Sequence, residues 1–211
     1  MATLHPSLAS ADPLTLGATL TRLSELPVGS LHVDIEDTSF ISNITFGMKT
    51  VNAVAHHTAH PLSFHFMVAN PRPWLEWIAP LKPGWIFFHA EALANPAEDL
   101  AAIRRTGAKA GLAFNPATAV EPYAYLNGQI DALLIMTSEP DGEGQRFIPS
   151  MMNKVKTAAS LFPQATVWAD GGIDLTVASA LRENGAEHLV LGRALFSGDD
   201  LSGILRTFER V

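Results

Sequence analysis

Residues 62–90 read LSFHFMVANPRPWLEWIAPLKPGWIFFHA. Two short apolar runs, Leu62–Met67 and Trp85–Ala90, enclose the segment Pro71–Leu81. Near-continuous apolar runs are what strands buried on both faces of a parallel sheet show. Pro71 is placed to start a helix between them, because its fixed φ and missing N–H suit a first turn. The stretch therefore reads as strand, helix, strand.

The same unit recurs in both directions. Towards the N-terminus lie strand candidates Leu4–Ala9 and Ser30–Ile35, with helices over Asp12–Leu26 and Met48–His57. Leu16, Leu20 and Leu23 give the first helix its apolar spacing. Towards the C-terminus come a helix at Pro96–Thr106, a strand at Lys109–Phe114, a helix at Ala117–Leu126 and a strand at Ala132–Met136. The pattern ends with helix Pro149–Phe162, strand Thr166–Ala169, helix Leu175–Asn184, strand His188–Leu191 and helix Asp199–Arg210. Strict alternation argues for a parallel sheet with crossover helices. Eight units favour closure into an α/β (β/α)8 TIM barrel over an open doubly wound sheet. The chain has 211 residues, short for a barrel that usually needs about 250, so the loops are expected to be brief. No linker or low-complexity segment divides it, and residues 1–211 are expected to form a single domain.

Apolar residues make up 47% of the chain and charged residues 17%, which supports a sizeable core and argues against disorder. The formal net charge is −7 with no basic run, which disfavours a nucleic-acid surface. An acidic chain still binds a single phosphate if backbone N–H groups form the nest. The absence of cysteine excludes disulfides, zinc-thiolate sites and thiol catalysis. Neither a signal-peptide pattern at Met1–Ser10 nor a spanning apolar stretch is evident, so a cytoplasmic protein without membrane contact is expected.

In such a barrel function sits at the C-terminal ends of the strands, and polar residues collect there. His32 and Asp34 are two apart, so they share one strand face, as do His65 and Met67 on the next strand. Asp170 ends the seventh strand, Ser7 lies on the first, and His89 and Glu91 on the fourth. Imidazoles and carboxylates converging without sulfur suit Zn²⁺, Mn²⁺, Fe²⁺ or Co²⁺. Glycines follow three successive strands, at Gly142 and Gly144, at Gly171 and Gly172, and at Gly192. Barrels often bind phosphate after strands seven and eight, and Arg193 could add a bidentate contact.

Several segments resemble the ribulose-phosphate 3-epimerase family, in order and over nearly the whole chain. They are His5–Ala11, His32–Asp34, Asn43–Gly47, His65–Met67, His89–Glu91, Gly111–Thr118, Gly144–Pro149 and Asp170–Ile173. The resemblance implies a barrel of the ribulose-phosphate-binding type and an isomerase that epimerises C3 of a ketose phosphate. It implies His32, Asp34, His65 and Asp170 as ligands of one divalent metal, with no organic cofactor. Asp34 and Asp170 would also be the two acid–base carboxylates. Ser7, His65, Met67 and Met136 would contact substrate, with Gly171, Gly172 and Gly192 around its phosphate; Gly142 and Gly144 are assigned to the phosphate from their place after the sixth strand alone, and Arg193, which stands where the family commonly has a small residue, from its place after the eighth. It further implies a homo-oligomer.

Other readings stay open for single residues. Ser7 could cap the first helix; Met67 and Met136 could be core filler; His89 and Glu91 could form a barrel-end hydrogen bond. His56, His57 and His60 are read as solvated, and Trp74, Trp77, Trp85 and Trp168 as packing. The chain also departs from the family pattern. Glu36 stands where that pattern has a site methionine, and could bind metal, contact a hydroxyl or face water. Acidic Asp141 and Glu143 enter the loop 139–145. These changes leave the ketose phosphate, pentulose or hexulose, undetermined. A Schiff-base aldolase would need a lysine inside the barrel, and Lys109 is at the wrong end of its strand. A non-catalytic sugar-phosphate sensor is the alternative function.

Overall fold

The computed structural model describes residues 2–140, 146–198 and 200–210. Its strands are β1 (Thr3–Pro6), β2 (Leu31–Glu36), β3 (Leu62–Met67), β4 (Trp85–His89), β5 (Lys109–Phe114), β6 (Ala132–Met136), β7 (Thr166–Asp170) and β8 (His188–Leu191). They form one parallel sheet in the order β1-β8-β7-β6-β5-β4-β3-β2. The remaining seam, between β1 and β2, is held by a bridge from Ser7 to His32 and by Gly29 N–H donating to Leu4 O at 2.9 Å. The result is a nearly closed (β/α)8 barrel. Helices follow as α1 (Leu16–Leu23), α2 (Met48–His57), α3 (Leu75–Ile78), α4 (Pro96–Arg105), α5 (Met151–Leu161), α6 (Leu175–Glu183), α7 (Arg193–Phe196) and α8 (Leu201–Arg210). Among the described residues no helix is long and apolar enough to cross a membrane.

The two-residue period of the strands sorts side chains into two compartments. Val33, Ile35, Phe64, Phe66, Ile86, Phe88, Leu112 and Phe114 pack outward in the layer beneath the helices. Inside the barrel, Phe87, Ala113, Leu134, Met136, Trp168 and Val190 form a second apolar cluster. Gly111 is required there, because a Cβ would run into the Phe87 ring. On the other side of the interior lie His5, His32, Ser63, His65 and His89, all buried. The barrel is thus apolar along one wall and imidazole-rich along the other.

Several expected helices are shorter or differently wound. Pro71–Leu81 is not one helix: 3-10 turns at Arg72–Trp74 and Ala79–Leu81 flank α3, and Lys82 ends it in the left-handed region at φ 52°. Pro73 and Pro80 lack the N–H that a continuous helix needs. The 117–126 segment is a 3-10 helix at Glu121–Leu126, with Pro122 in its first turn. β1 stops at Pro6 because Leu8–Ser10 turns as a 3-10 helix. Before α1 comes a 3-10 turn at Pro13–Thr15, whose start the Asp12 side chain caps from Leu14 N–H. The short α7 was not separated by the sequence pattern. Trp77 is 61% exposed, so reading it as packing was wrong. His60 is not simply solvated either, since its Nε2 lies 3.0 Å from Leu23 O.

Candidate metal and substrate site

The period of two that fills the core also aims His32 and Asp34 from β2, and His65 from β3, into the barrel beside Asp170 at the end of β7. Asp34 Oδ1 lies 3.4 Å from His32 Nε2 and 3.1 Å from His65 Nδ1. Asp170 Oδ2 lies 3.8 Å and 3.6 Å from the same two nitrogens. One ligand atom from each of the four residues falls within 4.8 Å of the others. Metal–ligand bonds of about 2.1 Å at tetrahedral angles place neighbouring ligand atoms about 3.4 Å apart, so the observed spacing fits a cation at the centre. A second observation agrees: buried His32 Nε2 makes no hydrogen bond among the described residues. A buried ring nitrogen without a hydrogen-bond partner is costly unless something else satisfies it, as a cation would in the tautomer that leaves a lone pair there. These four residues could therefore hold a metal ion.

The polar surroundings hold the four in place. Asp34 Oδ2 accepts from Ser7 Oγ at 2.7 Å, so this serine does not cap the following 3-10 turn. Thr45 Oγ1 donates to Asp34 O. His65 Nε2 lies 2.8 Å from His89 Nε2, and His89 Nδ1 lies 3.1 Å from Glu91 Oε2. Glu91 Oε1 accepts from Asn115 N–H at 2.8 Å. This is the barrel-end hydrogen bond read from the sequence as one option for His89 and Glu91. It anchors the nitrogen of His65 that faces away from the carboxylates, as second partners of metal-binding histidines commonly do.

Electrostatics follow from this packing. Burial alone would raise the Asp34 carboxyl, but His32 and His65 beside it hold it far below the usual carboxylate range. Burial would lower His65, yet its bonds to Asp170 and Asp34 lift it to about 9. Burial pushes His89 down to about 4, so it stays neutral. Glu36 is raised to about 7, first by burial and then by repulsion from Asp34. Its Oε2 accepts from Asn43 Nδ2 at 2.7 Å. Glu36 is not among the four residues grouped around the metal position.

Above the carboxylates opens a cavity of about 460 Å³, the size of a small-ligand site. Ser7, Met67, Met136, Gly171, Gly172, Gly192 and Arg193 line it together with Asp34 and Asp170. Gly171 and Gly172 have φ of 109° and 66°, and a Cβ on Gly172 would strike the backbone of Arg146 and Phe147. Gly142 and Gly144, with Asp141 and Glu143, lie outside the described residues. Asn43, Thr45 and Ser10 also line the cavity and were not singled out from the sequence. Asn43 and Thr45 lie in the Asn43–Gly47 segment and Ser10 in His5–Ala11, both of which resemble the family, the signal that the sequence carries for them.

Fold and site together define a TIM barrel with a metal-competent His2Asp2 cluster beneath a glycine-lined cavity. Residues 3–196 match the model of the ribulose-phosphate 3 epimerase family. The chain belongs to that family, and with it to the carbohydrate epimerases of the isomerase class. Ribulose-phosphate 3-epimerase of Mycobacterium tuberculosis is 35% identical over 85% of this chain and 80% of its own length. The cytoplasmic isoform of Oryza sativa is 30% identical, over 99% and 95%. That of Methanocaldococcus jannaschii is 33% identical, over 99% and 90%. Among solved structures, KGPDC from Streptococcus mutans matches with a TM-score of 0.72 at 12% identity, over 100% of this chain and 96% of that one. That likeness speaks for the fold alone.

Proposed function

We propose that the chain, acting as one barrel domain, is a metal-dependent epimerase that inverts C3 of a ketose phosphate. D-ribulose 5-phosphate and D-xylulose 5-phosphate, or a related pentulose or hexulose phosphate, are the substrates this reading names. The observation that carries it is the placement of Asp34 and Asp170, from β2 and β7, against the same two imidazoles at the floor of the cavity. One carboxylate takes the C3 proton, and the C3–H electron pair moves towards C2 to give an enediolate. The other, protonated, carboxyl returns a proton to the opposite face, and its O–H pair stays on the carboxylate. Ser7 Oγ steadies Asp34 Oδ2 in this role. Met67 and Met136 give the reacting carbon apolar walls that exclude water. Gly171, Gly172 and Gly192 let backbone approach the phosphate, and Arg193 pairs with it; Gly142 and Gly144 are assigned to the same role. A bound Zn²⁺, Mn²⁺, Fe²⁺ or Co²⁺, held by His32, Asp34, His65 and Asp170, would supply Lewis-acid stabilisation of the developing oxyanion. Nothing in this chemistry requires an organic cofactor.

The test is exchange of the substrate C3 proton with solvent deuterium across a panel of ketose phosphates. Exchange that is lost in Asp34→Asn and in Asp170→Asn is the expected result. Exchange retained in both variants would falsify the two-carboxylate reading. The absence of exchange with any ketose phosphate, alongside tight phosphate-ligand binding, would favour a sensor instead.

A further inference from the structure

The polar wall of the barrel does not end at the metal position. On the far side of His32 from the carboxylates, Nδ1 lies 2.9 Å from Ser63 Oγ. Ser63 Oγ lies 2.8 Å from Ser30 Oγ, and Ser30 Oγ lies 2.7 Å from His5 Nδ1. His5 Nε2 in turn lies 2.9 Å from His188 Nδ1. His32, Ser63, Ser30 and His5 are at most 1% exposed, whereas His188, at the start of β8, is only partly buried. The file therefore runs along the barrel interior from the catalytic mouth to the opposite end. Its geometry is enforced. The His5 ring stacks on Trp168 with centroids 3.9 Å apart, and Trp168 stacks on His188 at 4.4 Å. Gly29 makes room for His5, since a Cβ there would fall 2.6 Å from His5 Cε1.

A neutral imidazole has one ring proton and one ring lone pair, and each serine hydroxyl has one proton and can accept as well. Burial, then the neighbouring His188 and His32, push His5 well below 6.5; burial and Lys109 push His188 to about 4. Both rings are therefore neutral near pH 7. Hydroxyl protons rotate freely between partners. Ser63 Oγ has a second acceptor in Leu31 O, but at 3.5 Å, beyond the usual O–H···O range; with the short bonds running head to tail, the file has two self-consistent polarities. In one, His32 Nδ1–H donates to Ser63, Ser63 to Ser30, Ser30 to His5 Nδ1, and His5 Nε2–H to His188 Nδ1. This leaves His32 Nε2 as a bare lone pair facing the carboxylates, and puts the His188 proton on Nε2. In the other polarity every bond is reversed, so the His32 proton sits on Nε2 and the His188 proton on Nδ1. Of these two, only the first lets His32 ligate a cation.

We propose that Ser63, Ser30, His5 and His188 are positioning residues that set which nitrogen of His32 carries its proton, coupling metal binding at the mouth to the tautomer of His188 at the other end of the barrel. The inference rests on the reading of His32 as a metal ligand. The two fail separately in the experiment that follows.

Ring-nitrogen chemical shifts of the histidines, read by NMR on ¹⁵N-labelled full-length protein, report each tautomer directly. On saturation with Zn²⁺, the His188 resonances are expected to exchange protonated and unprotonated character together with those of His32. In Ser30→Ala, or in His5→Phe, which keeps the ring stack on Trp168, His32 is expected to respond to Zn²⁺ while His188 does not. Competition titration should show Zn²⁺ affinity weakened about tenfold in Ser30→Ala, the lower end of the effect of removing partners behind a metal ligand. In metal-free protein Ser30→Ala should shift the ring nitrogens of both His32 and His188. If Zn²⁺ moves His32 in the wild type but leaves His188 unchanged, the coupling is refuted. If Zn²⁺ moves neither His32 nor His65, the metal reading fails, and the metal-free comparison decides the file: unchanged shifts at both histidines refute it.

Discussion

The site is most sharply determined by single carboxylates. Asp34→Asn and Asp170→Asn each keep the volume of the side chain and remove its basicity. Turnover should fall by about 10² to 10⁴ in either variant, the usual contribution of a positioned acid or base, as checked by the deuterium assay. Glu36 gives a prediction with a defined sign. Its folded value of about 7 lies above its ordinary 4.5, so the folded state holds this proton more tightly. The stability that this contributes is full below about 4.5 and is lost as pH rises through about 7. Glu36→Gln keeps an acceptor for Asn43 and carries no charge. The metal-free variant should match wild type at pH 4 and exceed it at pH 8 by about 1–3 kcal/mol in urea unfolding, with pocket water setting where in that range it falls. Arg193→Ala should raise KM for a phosphorylated ketose about tenfold or more with little change in kcat; an unchanged KM would remove Arg193 from the phosphate site. At this scale the sequence was informative where alternation on a strand paired chemistry-bearing types, as in His32 with Asp34. It was less so for His5, Ser30, Ser63 and His188. These stand at inward positions towards the starts of strands, where a polar residue reads as isolated until the register brings the strands together.

At the scale of elements, strands were easier to read than helices. A strand whose outer face lies under helices keeps an apolar run even where polar side chains such as Ser63 and His65 turn inward, so Leu62–Met67, Lys109–Phe114, Ala132–Met136 and His188–Leu191 carry their own bounds. Helices on the outside tolerate proline and polar residues, and their ends depend on local winding. The apolar pattern over 71–81 is real, but Pro73 and Pro80 break its hydrogen-bond ladder into 3-10 turns. The turn after β7 is an element with its own test. Gly172 sits at φ 66°, and a Cβ there would come within 2.8 Å of Arg146 C and Phe147 Cα. Gly172→Ala must displace one of the two backbones that meet beside the cavity. KM for the phosphorylated substrate is expected to rise about tenfold, with a lower Tm. Unchanged values of both would show that this turn neither touches substrate nor carries strain.

For the whole molecule, the eight-unit rhythm made the barrel legible, because each strand–helix repeat could be counted without knowing its neighbours in space. The nearly open seam was not legible, since strand pairing is a matter of register and not of composition. Metal loading should stabilise the entire barrel. Free metal at a hundred times Kd adds about 2.7 kcal/mol to a fold that binds it only when folded. In a domain of this length that is a rise of about 5–11 °C in Tm, reversible with a chelator. A Tm unmoved by Zn²⁺, Mn²⁺, Fe²⁺ or Co²⁺ would count against the four-ligand cluster.

The bridge between Ser7 and His32 has a consequence for how the barrel breathes. Ser7 reaches across that seam to Asp34, and His32 and Asp34 on the same strand face the metal position. The ring of strands is therefore fastened at the place where its cargo sits, like a band whose clasp is also its setting. Without cargo, amide hydrogens along Thr3–Ser7 and Leu31–Asp34 should exchange faster than those of β4 to β6, which are paired on both sides. Loading should slow them first and most. A barrel so arranged would close its own circle each time it takes up a metal ion.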